Sequence, residues 1–513
     1  MKLKEFNNNI TGKNIYCFGK SNLYINEMIH EFNVAEKIKL VVDNNPKTYG
    51  NMVIDGRAVQ VDSPDSLEKI DFNNSVIVIT SSFYKEIYNQ LLNMDYIVNN
   101  FSVIYYYEDW QLKLEQYYCK KYENDGLKDI IIFRSGPTEK SYLKGMDFAD
   151  NARALFEYMI RNGYNQKYKL IWFVKNPDEY SPKYNFKNVE FITFDWALSK
   201  KEIEAEKYYS SLLHAKYIFF TDAYGFAKCT RPDQIRIQLW HGCGYKTRVN
   251  FARCENRYEY TTVVSDLYSE IHQKIYGLRS DQMLVTGYAK QDWIFEPYNK
   301  NLSELLGVAK ASKYIFWLPT FRMADDKLKE LNQYELESET GLPIVRTEEQ
   351  LNTLNNILKK NDMAVIIKLH PFQKRDLIKE CKYSNIRIID NIELVEKDLI
   401  INRILASADA LISDYSSVAI DFLNADKPIA FTLDDEEEYK NSRGFVFDNI
   451  LDWLPGKEIY NFNDFCDYVE EIHNGTDSTK DKRHLLCSKM LKYTDNQNCA
   501  RILKALSITI DKF

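Results

Sequence analysis

The chain repeats one pattern. A short apolar run rich in Ile, Val, Leu and Phe reaches a polar turn, and a stretch with helically spaced apolar positions follows. Continuous apolar runs bounded by turn residues mark strands buried on both faces of a parallel sheet. In the first part of the chain these runs are Asn14-Ile15-Tyr16-Cys17-Phe18-Gly19, Ile38-Lys39-Leu40-Val41-Val42-Asp43-Asn44 and Val76-Ile77-Val78-Ile79-Thr80. Helical stretches follow the first, through Met28 and Ile29, and the third, after Ser81-Ser82. Such βαβ alternation predicts a small parallel sheet over residues 1–120.

That first domain looks like the small Rossmann-like domain attached to many bacterial glycan enzymes. Its turn Gly19-Lys20-Ser21-Asn22-Leu23-Tyr24 keeps one glycine where dinucleotide binding needs three. Asp43 stands where a ribose ligand would, but the missing glycines favour a structural or docking role. Pro46 and Gly50 mark a turn, and Tyr105-Tyr106-Tyr107-Glu108-Asp109-Trp110 with the helical stretch 112–122 reads as a connector.

A second α/β domain is expected over residues 127–295, with strands at 130–133, 170–174, 189–192, 217–220, 235–240, 262–265 and 283–288. A polar stretch at 296–312 separates it from a third, over 311–513, with strands at 314–320, 365–371 and 410–414. The predicted fold class is α/β: a GT-B-like pair of Rossmann-like domains with an additional small N-terminal Rossmann-like domain. Ligands of such sheets bind at the carboxyl ends of strands, here between the halves.

Three strand ends carry chemistry. Ile235-Arg236-Ile237-Gln238-Leu239-Trp240 runs into His241-Gly242-Cys243-Gly244-Tyr245-Lys246. The glycines allow close backbone approach and leave amides for an anion, while His241 moves protons near neutral pH and Lys246 adds a point charge. Val365-Ile366-Ile367-Lys368-Leu369 ends in His370-Pro371, and Ala410-Leu411-Ile412-Ser413 ends in Asp414-Tyr415-Ser416-Ser417. Ser416 or Ser417 is placed to N-cap a helix starting near Val418, and a phosphate can share that helix terminus with the cap. Alone, His370 reads as a satisfied strand-end histidine; paired with His241 across a cleft, it reads as functional. Arg322, after Pro319-Thr320-Phe321, is either a solvated loop charge or a phosphate fork.

Composition narrows the class. At 513 residues the chain exceeds one hydrophobic core, and 45% hydrophobic with 27% charged residues is ordinary for a globular protein. A net charge of -7 argues against a nucleic-acid partner. Yet residues 228–257 hold seven Lys/Arg against two acidic residues, a basic patch suited to an anionic substrate. No apolar run is long enough to span a bilayer, and Met1-Lys2-Leu3-Lys4-Glu5-Phe6 lacks the apolar core of a signal peptide, so a cytoplasmic location is expected. The nine cysteines show no Cys-x-x-Cys pair and read as free thiols. Cys243 lies in the His241 loop, but nothing near it in sequence completes a nucleophile–base set. No His-Glu-x-x-His occurs, no cofactor is called for, and Asp434-Asp435-Glu436-Glu437-Glu438 reads as a solvated loop; a need for Mg²⁺ is left open.

Taken in order, Gln238-Leu239-Trp240-His241-Gly242, Val285-Thr286-Gly287-Tyr288, Leu318-Pro319-Thr320-Phe321-Arg322, Lys368-Leu369-His370-Pro371, Leu411-Ile412-Ser413-Asp414-Tyr415-Ser416-Ser417 and Arg443-Gly444-Phe445-Val446-Phe447-Asp448 resemble the CDP-glycerol glycerophosphotransferase family. That family holds the teichoic-acid polyol-phosphate primases and polymerases and related capsule polymerases. The resemblance spans about residues 130–490, and Cys243-Gly244-Tyr245 departs from the family's Thr-Pro-Leu-like run.

The resemblance implies transfer of a polyol phosphate, glycerol phosphate first, from a CDP-polyol to a hydroxyl of a lipid-linked or oligosaccharide polyol-phosphate acceptor, with release of CMP. It implies work at the inner face of the cytoplasmic membrane as a peripheral protein. His241 is then the general base, and His370, Ser416, Ser417 and the amides behind them hold the diphosphate. Thr320 and Arg322 seat the nucleotide, Arg443 is a further phosphate ligand, and Asp414 orients either a histidine or a ribose hydroxyl. Three other readings stand beside it: a CDP-ribitol enzyme, a GT-B transferase using a nucleotide sugar, and a non-catalytic scaffold recruiting partners through its N-terminal domain.

Overall fold

The apolar runs become the central strands of three sheets. The computed structural model describes every residue except 7–9, 11, 82, 108–109, 137–144, 195–201, 222–229, 248–257, 321–337, 370–382, 443 and 511–513. It forms two compact units, Met1–Lys121 and Tyr122–Phe513.

The first unit holds a seven-stranded sheet in the order Lys2–Glu5, Val103–Tyr106, Ser75–Ile79, Asn14–Phe18, Ile38–Val42, Arg57–Asp62, Gly50–Ile54. All neighbours are parallel except the last pair, a hairpin turned by Asp55 and Gly56 at φ 48° and 76°. Asp-Gly with both residues at positive φ suits a two-residue hairpin turn. Gly50 therefore opens a strand, and Pro46–Thr48 is a single 3₁₀ turn. The expected connector also differs: Tyr105 and Tyr106 belong to a strand paired with Lys2–Glu5 and Ser75–Ile79. Asp43 accepts the backbone N–H groups of Lys20 at 2.7 Å and Asn45 at 2.8 Å, tying two strand ends together. A Cβ on Gly19 would lie 2.8 Å from the Ser81 Cβ, so this glycine serves close packing.

The second unit contains two wholly parallel sheets. One runs Val189–Thr193, Lys169–Val174, Lys128–Arg134, Ala215–Phe220, Ile235–Gln238, Tyr260–Val263, Met283–Val285. The other runs Ile386–Ile389, Met363–Lys368, Lys313–Trp317, Ala410–Ser413, Ile429–Thr432, Lys457–Ile459. In each, the chain lays strands to one side of the first strand and then to the other.

The halves are not separate in sequence. Helix Asn498–Ala505 returns to the first half, where Cys499, Ile502 and Leu503 enter the core around Phe133, Leu155 and Trp172. Asp292 receives its helix, accepting the N–H groups of Asn498 and Cys499 at 2.9 Å each. This helix, within the span 311–513 expected for the third domain, thus packs against the first half. A second core is shared: Trp240, Tyr245, Tyr268 and Tyr288 pack in one cluster with Phe316, Leu411, Phe431 and Phe447. The acidic run is no solvated loop either. Asp434 accepts from Arg346 Nη2 at 2.6 Å and Ile344 N at 3.0 Å, and Glu436–Ser442 is helical. Among the described residues, no helix is long and apolar enough to cross a membrane.

Candidate functional site

Sheet topology places the site. Lys313–Trp317 is flanked by Met363–Lys368 on one side and Ala410–Ser413 on the other, so chain direction across the sheet reverses beside it. A crevice opens at the carboxyl ends of strands at such a reversal. Here the ends are Leu318-Pro319-Thr320 and Asp414-Tyr415-Ser416-Ser417. Asp414 is fully buried, and its Oδ2 accepts from Thr320 N at 2.7 Å and from Thr320 Oγ1 at 2.6 Å. That carboxylate ties the two strand ends together behind a cleft of about 190 Å³.

Thr320, Ser416 and Ser417 line this cleft. The helix after them, Val418–Phe422, is a single short turn of α-helix extended by the 3₁₀ segment Leu423–Ala425. Ser417 holds the cap position at φ -63° and ψ -15°, a helical conformation, and its hydroxyl makes no capping bond. An N-cap side chain needs an extended backbone to turn back onto the helix. Ser416 Oγ lies 3.5 Å from Val418 N, at the limit of a hydrogen bond.

The His241 loop meets this cleft from the other half. Trp240 is buried with φ 57°, and the exposed His241 ring stacks on its indole at 5.2 Å and 25°. Gly242 has φ 150°, and a Cβ there would sit 2.4 Å from Ser417 Oγ. The close approach that this glycine permits is therefore between the two halves. Farther on, the loop is stapled to the second half. Val446 N–H donates to Tyr245 O at 2.8 Å, Thr247 N–H to Gly444 O at 3.2 Å, and Lys246 bridges with Phe445. Lys246 Nζ lies 5.7 Å above the Tyr439 ring, apart from the cleft lining.

Cys243 is buried 3.0 Å from Tyr288 Oη and 3.6 Å from His272 Nε2. Burial pushes its thiol up to about 12. A thiol at that value holds almost no thiolate near neutrality, so Cys243 is structural.

Four cleft residues carried no separate signal in the sequence. Lys368 is held down to about 8 by burial, with Asp390 opposing the shift. The residue is half-buried and lines the cleft. Asn402 is 4% exposed, lines the cleft, and its Nδ2 has no hydrogen-bond partner among the described residues. A buried amide without a partner is costly and fits a ligand oxygen. Lys290 and Asp421 complete the wall with an ion pair at 3.4 Å. Lys368 stands two residues before His370, the one hint available from sequence; Lys290 opens the polar run Lys290-Gln291-Asp292, which carries none.

Of the residues expected to act together, Thr320, Ser416 and Ser417 share the cleft, with Gly242 and His241 at its edge. Asp414 sits behind it and Lys246 beside Tyr439. His370, Arg322 and Arg443 lie outside the described residues. In the basic stretch, Arg231 pairs with Asp233 at 2.9 Å and Arg236 with Glu259 at 2.5 Å, so part of its charge is locally neutralised.

A profile of the CDP-Glycerol:Poly(glycerophosphate) glycerophosphotransferase family matches residues 134–507. The chain is 27% identical over 379 residues to the teichoic acid glycerol-phosphate primase of Bacillus subtilis (strain 168), covering 70% of this chain and 89% of that protein. It is 26% identical over 313 residues to the teichoic acid ribitol-phosphate polymerase TarK of Staphylococcus aureus (strain NCTC 8325 / PS 47), covering 57% of this chain and 56% of that one. A solved structure of the wall teichoic acid polymerase TagF superposes with a TM-score of 0.57 at 20% identity, over 83% of this chain and 97% of that chain. The shared fold is GT-B-like.

Proposed function

As this chain belongs to the CDP-glycerol:poly(glycerophosphate) glycerophosphotransferase family, we propose that it transfers a polyol phosphate, glycerol phosphate foremost, from a CDP-polyol to a hydroxyl of a teichoic-acid-like or capsular polymer. One observation supports the reading above others. The cleft at the strand reversal gathers Lys368, the unpartnered Asn402 amide and the hydroxyls of Ser416 and Ser417, while Gly242 seats the His241 loop directly against Ser417.

The chemistry follows from that juxtaposition. The acceptor hydroxyl oxygen attacks the β-phosphorus of the donor, forming a new P–O bond. The bond from that phosphorus to the bridging oxygen breaks, and CMP leaves with the electron pair. The hydroxyl proton passes to the His241 imidazole, which acts as the general base. Lys368 and Asn402 offset charge on the phosphate oxygens, where preorganised donors contribute most. Ser416 and Ser417 hold the diphosphate, Thr320 lies toward the cytidine, and His370, Arg322 and Arg443 are further phosphate and nucleotide ligands by the family resemblance. The acceptor is lipid-linked and the chain works peripherally at the inner face of the cytoplasmic membrane. The N-terminal unit, outside the family match, tunes acceptor or partner choice.

The test offers purified chain CDP-glycerol, CDP-ribitol and nucleotide sugars with a synthetic acceptor, and identifies the released nucleotide by mass spectrometry. CMP from CDP-glycerol is expected. A nucleoside diphosphate released from a nucleotide sugar, or no CMP from either CDP-polyol, overturns the reading.

A further inference from the structure

We infer that Lys290 is the positioning residue for His241, holding the catalytic loop by joining a carboxylate from each half to that loop's backbone. The inference rests on the reading of His241 as the general base. Lys290 lies on the 3₁₀ segment Ala289–Phe295 of the first half and is 9% exposed. Its ammonium donates to the His241 carbonyl oxygen at 2.5 Å. It also lies 3.2 Å from Asp150 Oδ1, in the first half, and 3.4 Å from Asp421 Oδ2, in the second. An ammonium has three N–H bonds, and these three acceptors account for all of them. Although Lys290 lines the cleft, binding a donor phosphate would require it to release one of these partners.

The surrounding bonds serve the same end. Lys290 N–H donates to Asn151 Oδ1 at 3.0 Å, and Asn151 Nδ2 donates to Trp240 O at 2.9 Å and reaches Leu239 O at 3.3 Å. One lysine and one asparagine thus hold three successive carbonyls, from Leu239 to His241. The grip falls where it is needed, because Trp240 sits at φ 57° and Gly242 at φ 150°. A bulky residue keeps a left-handed backbone only when its surroundings enforce it. On the far side, Gln291 Nε2 donates to Asp421 Oδ1 at 3.0 Å, fixing the carboxylate that reaches across. Burial alone would pull the Lys290 pKa down, but Asp150 and Asp421 outweigh it and the lysine stays charged. Burial raises Asp421, with Lys290 opposing.

The experiment compares Lys290→Met, and the charge-matched Lys290→Met/Asp421→Asn, each with and without His241→Ala. CMP release gives kcat, calorimetry with CDP-glycerol gives donor Kd, and hydrogen exchange reads the 239–243 amides. A misplaced base lowers kcat by about 10–100-fold, while donor Kd moves less than about threefold because binding groups stay in place. In the His241→Ala background the lysine change then takes nothing further from kcat, and the 239–243 amides exchange faster. Unchanged kcat in a folded variant, a weaker Kd at unchanged kcat, or equal losses in both backgrounds overturns the inference. If Lys290→Met alone does not fold, the charge-matched pair carries the same test. If the wild-type chain releases no CMP, the parent reading has failed; unchanged protection of the 239–243 amides then overturns the lysine's role separately.

Discussion

Replacing Gly242 with alanine tests how the two halves meet. At Gly242 the added Cβ would stand 2.4 Å from Ser417 Oγ and 2.8 Å from Ser417 Cβ. Rotating the Ser417 side chain moves the hydroxyl away but leaves the Cβ where it is. Carbon atoms rest at about 3.5–4.0 Å, so the loop and the Ser417 backbone must separate by about 1 Å. Overpacking of this kind costs about 1–3 kcal/mol. The φ of 150° adds a second penalty, since an alanine must adopt a conformation suited to glycine, at about 1–3 kcal/mol. Gly242→Ala is therefore expected to lose about 2–6 kcal/mol in urea unfolding. A shift of 1 Å between His241 and the bound diphosphate should slow CMP release by about 10²-fold. Ser417→Gly separates the two penalties, because it removes both clashing atoms but leaves φ unchanged. In a double-mutant cycle read by unfolding, the pair should therefore couple by about 1–3 kcal/mol. A Gly242→Ala protein with wild-type stability and turnover, or a cost that Ser417→Gly leaves intact, would refute the packing argument.

His241→Ala should lower kcat by about 10²–10⁴-fold with donor Kd little changed; ordinary turnover in the folded variant rules out the base assignment. Lys368 supplies a pH signature, because its pKa is depressed from 10.5 to about 8 by burial. The donor anion favours the ammonium, so CDP-glycerol Kd should be flat below pH 8 and weaken by about tenfold per pH unit above it. Lys368→Met should bind more weakly throughout and lose that slope, and a wild-type Kd that stays level to pH 9.5 contradicts the role. Without donor the sign reverses: between about 8 and 10.5 the unfolded chain binds the extra proton, so stability rises with pH across that window.

The local pattern determined the buried centre of each sheet. Runs such as Val76-Ile77-Val78-Ile79 and Ala410-Leu411-Ile412 are uninterrupted because a parallel strand buried on both faces admits no polar position. Their polar endings, His241-Gly242 and Asp414-Tyr415-Ser416-Ser417, stood out for the same reason, and their order along the chain carried the family resemblance. The sheet margins were less legible. Ile386–Ile389 and Lys457–Ile459 are short edge strands carrying Arg387, Lys457 and Glu458, since an edge strand keeps one side near solvent and loses the apolar signature. Val103–Tyr106 was hidden by tyrosines, which suit a half-buried strand and an interdomain connector equally well.

Tertiary structure alone decided the wiring of the site. Lys290, Asp150, Asp421 and the His241 carbonyl are brought within hydrogen-bonding reach from positions far apart in the chain. No periodicity encodes such a meeting, because it depends on how two sheets pack. The return of helix Asn498–Ala505 to the first half, and the use of Gly242 against Ser417, belong to the same class. Local sequence sets which backbone segments bury themselves, through solvation and hydrogen bonding within a few residues. Which buried polar groups then find one another is settled only when the halves close, because an unpaired charge in that interface costs more than the strain of the loop that pairs it.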